Sequence, residues 1–476
     1  MIITRRRFVS SVQSLSTRWL PFADAATVDL PMARLLRLAL FQVSVGMSVV
    51  LLNGTLNRIM VVELGQSAAL VSLMVAIPLL LAPARALIGF RSDHHRSYLG
   101  WRRVPYLWFG TIAQFGGLAI MPFALIVMTE PHSGSAVIGP LATLLAFVLV
   151  GGGMHTTQTA GLALATDLAT ADNRPKVVAL LYVMLLVGTI GASMLFAQLL
   201  VDFSYIRLIK VLQGAAVVTA VLNFIALWKQ EPRQPNRTRH DQEHPDFWTV
   251  WREFTDQPRH RRLLLALALG TAGFSMQDIL LEPYGAQILH FTVSQTTALT
   301  ALLGGGMLLA FMFASRTLSR GTDPIRMAGM GALLGVFAFA IVILAGPMES
   351  PMLFRLGTGL IGLGGGLFSV GTMMSVMTLG TGDQAGLALG AWGAVQATAM
   401  GVAIFLGGAV RDVVGLWSAS GELGPVLSDQ TVAYSAVYHL EILILFVALV
   451  ALGPLVRQPG EGESTESGLR LADFPG

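Results

Sequence analysis

Residues 263–289 read "LLLALALGTAGFSMQDILLEPYGAQIL". The run is long enough to span a bilayer as a helix, which takes about 20 mostly apolar residues. Yet it carries Gln277, Asp278, Glu282 and Tyr284, and Pro283 interrupts it. A charged carboxylate at mid-membrane costs about 2.5–3.5 kcal/mol even on the lenient insertion scale. Asp278 and Glu282 are four residues apart and so share one helix face. Gln277 and Tyr284 add donors nearby. Pro283 has no amide donor, which frees the carbonyl of Ile279. A polar, locally opened helix face in lipid must look into protein or a wet cavity. The segment therefore predicts a bundle of spanning helices, with this face turned inward.

The remaining sequence extends that reading. The chain has 476 residues, 54% hydrophobic and 12% charged, where soluble domains carry about twice that charged fraction. Its mean hydropathy is +0.67. Apolar runs of spanning length fall near 36–62, 67–90, 104–128, 136–167, 177–201, 205–228, 263–289, 294–316, 326–347, 353–379, 385–410 and 433–456. They predict an all-α polytopic membrane protein of twelve transmembrane helices, not the short alternating segments of a barrel. Cysteine is absent, which excludes disulfides and thiolate chemistry. The net charge of +4 needs no nucleic acid, because membrane proteins concentrate Lys and Arg on cytoplasmic loops. With both termini cytoplasmic, 25 of the 31 Lys and Arg residues fall on that side. The "TRRRFVSS" at 4–11 has no apolar stretch before "ADAA" at 23–26. It reads as a cytoplasmic arm, not a cleaved export signal.

The longest polar segment, 229–262, divides the spans six and six. Five regions follow: an N-terminal arm at 1–35, a six-helix half at 36–228, the linker at 229–262, a second half at 263–456 and a tail at 457–476. Within the linker, "DFWTVWREF" at 246–254 predicts an amphipathic interfacial helix. The halves repeat. "GMSVVLLNGTLNRIMVVELGQS" at 46–67 aligns without a gap to "GFSMQDILLEPYGAQILHFTVS" at 273–294. Two six-helix halves joined by a cytoplasmic linker resemble the major facilitator superfamily. The loop "GFRSDHHRSYLGWRR" at 89–103 is partly similar to that superfamily's signature, with Gly89, Asp93, Arg96, Gly100, Arg102 and Arg103 as gating-loop candidates.

The repeat offers the first carboxylates a partner. Asn53, Asn57 and Arg58 of span 1 match the depth of the span 7 polar face, so Arg58 is expected to neutralise Glu282 or Asp278. A clamp between helices and a ligand contact both fit this arrangement. His155 and Gln158 in span 4 are candidates for a tetrapyrrole or for helix–helix hydrogen bonds, while His439 and Glu441 sit near the periplasmic end of span 12. Gln114, Asn223 and Gln396 read as interhelical polar contacts. "GGG" at 151–153, 304–306 and 364–366 fits close helix packing or a flat groove. No phosphate loop, metal-binding motif or nucleophile–base pair is visible, so neither an enzyme, a metal nor a nucleotide is expected.

Three segments together, "SMQDILLEPYGAQIL" at 275–289, "LLNGTLNRIMVVELG" at 51–65 and "DHHRSYLGWRRVPYLWFGT" at 93–111, resemble the bacteriochlorophyll delivery family. This is the PucC/LhaA group of the major facilitator superfamily. "STRWLPFADA" at 16–25 is more similar to the LhaA members, tied to LH1, than to the PucC members, tied to LH2. The resemblance implies a light-harvesting assembly factor in the bacterial inner, intracytoplasmic photosynthetic membrane. Its implied partners are the LH1 α/β polypeptides, the reaction centre–LH1 assembly, membrane lipid and bacteriochlorophyll synthase. Bacteriochlorophyll a is the implied cargo. The alternatives are a proton-coupled transporter of a small solute and a pigment-free membrane chaperone.

Overall fold

The computed structural model describes residues 30–80, 88, 92, 101–129, 135–170, 173–232, 257–318, 320–379 and 385–456. Among them the secondary structure is entirely helical, with no strand. The spanning helices are α1 (Met32–Glu63), α2 (Ala68–Leu80), α3 (Val104–Thr129), α4 (Ser135–Leu168), α5 (Arg174–Leu199) and α6 (Tyr205–Leu227) in the first half. The second half holds α7 (Pro258–Gln287), α8 (Val293–Leu318), α9 (Pro324–Ala345), α10 (Pro351–Leu379), α11 (Ala385–Ser420) and α12 (Gln430–Leu452). All but α2, described over 13 residues, are long and apolar enough to cross a bilayer. The N-terminal arm to residue 29, Gly89, Asp93, Arg96, Gly100, the 246–254 segment and the tail from 457 lie outside the described residues.

Two boundaries differ from the sequence expectation. The seventh helix starts at Pro258, inside the polar linker, with proline at its first position where no amide donor is needed. The eleventh continues to Ser420 instead of stopping before Arg411 and Asp412. Those charges are held by protein, so they do not end the helix. Arg411 donates to Gln287 Oε1 at 3.1 Å and lies 5.0 Å over the Tyr434 ring. Asp412 accepts from the Ala69 amide at 2.7 Å, satisfying a free donor at the start of α2.

Polar side chains tie α1 to its neighbours in the first half. Ser44 donates to Asn223 of α6 at 2.7 Å, Asn223 to Thr111 of α3 at 3.1 Å, and Gln114 to Ser48 at 2.6 Å. Gln396 of α11 lies 3.5 Å from Ser369 of α10. The glycine triplets pack helices. A Cβ on Gly153 would fall 2.5 Å from the Gln114 backbone, one on Gly306 2.2 Å from the Gly359 carbonyl, and one on Gly364 2.8 Å from the Gly331 carbonyl. Glycine here lets α4 approach α3, α8 approach α10, and α10 approach α9.

The two halves meet through α1 with α7 and α8, α2 with α11, and α5 with α8. Ser193 of α5 bonds the Thr297 carbonyl of α8 at 2.5 Å, and Thr55 of α1 lies 3.3 Å from the Thr297 hydroxyl. On α2 and α11, Gly408 sits where a Cβ would be 2.3 Å from the Ser72 hydroxyl. These contacts lie toward the end of the bundle that carries the α1–α2 turn.

Candidate functional site: the α1–α7 seam

Neither helix at the seam is regular. α7 runs as an α-helix to Ser275, tightens into a 3₁₀ stretch over Met276–Ile279, and resumes over Leu281–Gln287. α1 does the opposite and widens into π turns over Val50–Leu56 and Ile59–Glu63. π turns inside α-helices recur at functional positions, and both departures release backbone groups.

Two of the released groups on α7 have identified partners. Ile279, left without a donor by Pro283, gives its carbonyl to Asn57 Nδ2 of α1 at 2.9 Å. The same nitrogen reaches the Asn53 carbonyl of its own helix at 3.1 Å. On the far side of the break, the Gln277 amide donates to Glu441 Oε1 of α12 at 2.7 Å. Glu441 is fully buried, and no residue pattern connects it with span 7. The one visible signal is a lone carboxylate in the apolar run "EILILFVALVAL".

Glu282 faces α1 and α8. Its Oε1 accepts from Thr300 of α8 at 2.8 Å, and its Oε2 is buried without a hydrogen-bond partner among the described residues. A Cβ on Gly54 would fall 2.4 Å from that Oε1 and 2.9 Å from the Thr300 hydroxyl. Gly54 therefore makes the room in which the carboxyl group sits. Asp278 is only partly buried and accepts from the Gln277 side chain beside it.

Among the described residues Arg58 forms no contact ion pair with Glu282 or Asp278, the partners expected from the sequence. Arg58 makes its ion pair with Glu63 of its own helix. The π turn explains the change, because i→i+5 bonding brings residues five apart onto one line. A regular α-helix would have pointed them apart. Tyr284 also departs from expectation. It is buried away from the carboxylates, stacked on Phe354 at 5.1 Å and edge-on to Tyr434 and Tyr438 at 5.4 and 5.6 Å. It anchors the second piece of α7 in an aromatic cluster.

The span 4 candidates lie elsewhere. Gln158 donates to Gln42 of α1 at 3.3 Å, about 18 Å along that helix from Gly54 at 1.5 Å per residue. His155 is buried on α4. His439 is exposed on α12 and bonds its own helix at the Ser435 carbonyl, 2.7 Å away. Among the described residues no group of three or more His, Asp or Glu could hold a metal ion.

Of the gating-loop candidates, Arg102 and Arg103 are described. Arg103 donates to Asp167 of α4 at 3.0 Å and to Ser92 at 2.6 Å, and Arg102 lies 3.5 Å from Asp167. Glu231, just after α6, accepts from the amides of Arg102, Arg103 and Val104 at 2.7, 3.1 and 2.9 Å. It caps the start of α3, where a carboxylate also suits the helix dipole. Asp167 and Glu231 were not singled out from sequence, since acidic residues at helix ends are common.

The chain matches the family described as PUCC protein over residues 55–460. The Rhodovulum sulfidophilum protein PucC is 54% identical over 412 residues, covering 85% of this chain and 91% of that one. The chain belongs to the PucC family. A Rhodobacter capsulatus protein described only by its place in the puhA–bchM intergenic region is 49% identical to this PucC-family chain across 100% of both. Among solved structures, a bacterial homologue of the lysosomal transporter Spinster, inward-facing, shares the fold at TM-score 0.68 and 13% identity, covering 88% of this chain and 95% of that one. The nucleoside transporter NupG does so at TM-score 0.64 and 15% identity, covering 88% and 99%. The fold of this family member is thus that of the major facilitator superfamily, as the repeated halves predicted.

Proposed function

We propose that this protein assists assembly of the light-harvesting antenna, LH1 in preference to LH2, by delivering bacteriochlorophyll to the α/β polypeptides or holding them while pigment is loaded. It works in the intracytoplasmic photosynthetic membrane, with both termini cytoplasmic, alongside the reaction centre–LH1 assembly and bacteriochlorophyll synthase. The observation that carries the reading is PucC-family membership through most of both halves, including the seam. A more distant relative, at 27% identity over 435 residues, is named as the Rhodobacter capsulatus bacteriochlorophyll synthase 44.5 kDa chain, which supports the pigment connection. The LH1 preference draws on the N-terminal arm, "STRWLPFADA" at 16–25.

In this reading the α1–α7 seam is the working site. Glu282 is held at one oxygen and open at the other, so a hydrogen-bonding group brought to it would find a buried acceptor. Deleting the gene should lower the LH1 absorption of intact membranes with much less effect on LH2. Selective loss of the LH2 bands would reverse the assignment. Buried Glu282 and Glu441 also favour a second reading, proton-coupled transport, because intramembrane carboxylates serve proton relays. Solute uptake by vesicles holding the purified protein, with normal LH1 in the deletion strain, would establish it instead.

A further inference from the structure

Away from the seam, the last turns of α1 border a cavity of about 560 Å³ enclosed with α3 and α6. That volume lies within the range of about 300–1,000 Å³ typical of small-molecule sites. The cavity lies beside the π turn Ile59–Glu63 of α1 and beside Pro122, a proline within α3. Its floor is apolar and buried, formed by Leu125 of α3 with Leu208 and Leu212 of α6. Ile126, Thr129 and Tyr205 of its lining are exposed, so the cavity opens to the surface of the bundle.

The polar lining residues, Glu63, Gln66 and Thr129, sit at one end, at the close of α1 and α3. Charge there is already balanced. Glu63 is paired with Arg58, whose side chain is 6% exposed. On the first turns of α6, Arg207 is bonded to Asp202 at 3.2 Å, and Lys210 does not line the cavity. Among the described residues an anionic headgroup would therefore meet a carboxylate whose paired cation is already engaged. An uncharged head that hydrogen-bonds to Glu63, Gln66 or Thr129 fits the end, and a long hydrocarbon chain fits the floor. Such a division, apolar walls with a few placed polar groups, is that of a binding site for an amphiphile.

We propose that this cavity is a lateral entry site for the hydrocarbon chain of a neutral, prenyl-esterified pigment. The identity of the occupant rests on the function proposed above, whereas the chain-binding site rests on the cavity itself.

The test uses the full-length protein in mild detergent and photoreactive geranylgeraniol as the probe. Crosslinks should concentrate on residues 122–129 and 205–212. Leu212→Trp fills the floor and should cut labelling roughly tenfold. Ile126→Trp, at the exposed mouth, should also reduce it and does not disturb the core, which guards against a folding defect in the first variant. Esterified bacteriochlorophyll a should compete with the probe, and the tail-less bacteriochlorophyllide should not. Labelling spread over the surface, or unchanged in both variants, would overturn the site. Competition by dioleoylphosphatidylglycerol as strong as that by the pigment would assign the cavity to bulk lipid and overturn the proposal. The antenna function is read separately in the deletion strain, so its failure would not be confused with failure of the site.

Discussion

α1 and α7 occupy equivalent places in the two halves and align residue for residue, yet they solve the same problem in opposite ways. The first helix widens, pairs its arginine with its own Glu63, and offers a glycine and an amide to its neighbour. The second tightens, breaks, and sends its polar groups out to α1, α8 and α12. A repeat thus preserves where helices go without preserving which groups meet. The asymmetry leaves two buried carboxyl groups, Glu282 and Glu441, each bonded at one oxygen and without a partner at the other among the described residues.

The strongest way to break this contrast is at Gly54. A Cβ there collides with the Glu282 carboxyl group, so Gly54→Ala should lower stability by about 1–3 kcal/mol through overpacking. Adding Glu282→Ala removes the obstruction, and the double variant should be more stable than Gly54→Ala alone. Thermal unfolding in detergent, followed by retention of monodisperse protein, measures both.

Glu441 tests the other side of the break. Glu441→Ala leaves the Gln277 amide buried without its acceptor, which should cost about 1–3 kcal/mol. Glu441→Gln keeps a carbonyl oxygen in place and should recover most of that loss. Equal destabilisation by both would show that the charge, not the backbone cap, is what α7 requires.

A subtler exchange is available at Pro283. Asn57→Ala should cost about 1–2 kcal/mol by stranding the Ile279 carbonyl. Pro283→Ala restores a backbone donor four residues on, so Asn57→Ala should be milder in that background. The same thermal assay reports the coupling, and additive losses would mean that the carbonyl is not the shared partner.

The smallest expected effect concerns Arg58. Since Glu63 is its ion-pair partner, Arg58→Ala should couple less to Glu282→Ala than to Glu63→Ala. Stronger coupling to Glu282→Ala would restore the pairing across the seam that the sequence suggested.

What could be read without coordinates follows from this physics. Hydrophobic length located the helices, and Arg411 misled only because its charge is held by side chains from α7 and α12. Pro283 announced a free carbonyl, and the structure supplies its donor. The Arg58 partner was hidden because its choice depends on a π turn, which no residue pattern in "LLNGTLNRIMVVELG" specifies. Glu441 was hidden for another reason: its role is set by an approach between helices 164 residues apart in sequence. Tyr284 looked like a polar neighbour of Glu282, but a helix break between two carboxylates re-aims everything after it.

The central claim is that the Glu282 face of the seam does the work of antenna assembly. LH1 absorbance per unit of immunodetected protein, in Glu282→Gln and Glu282→Ala strains, tests it most directly. Gln keeps the hydrogen-bonding carbonyl and should preserve part of the LH1 signal, while Ala should leave the protein in the membrane and abolish assembly. Wild-type absorbance in both strains would contradict the claim and leave the seam as packing alone. Complete loss in both, at normal protein levels, would point to a carboxylate that must gain and lose a proton.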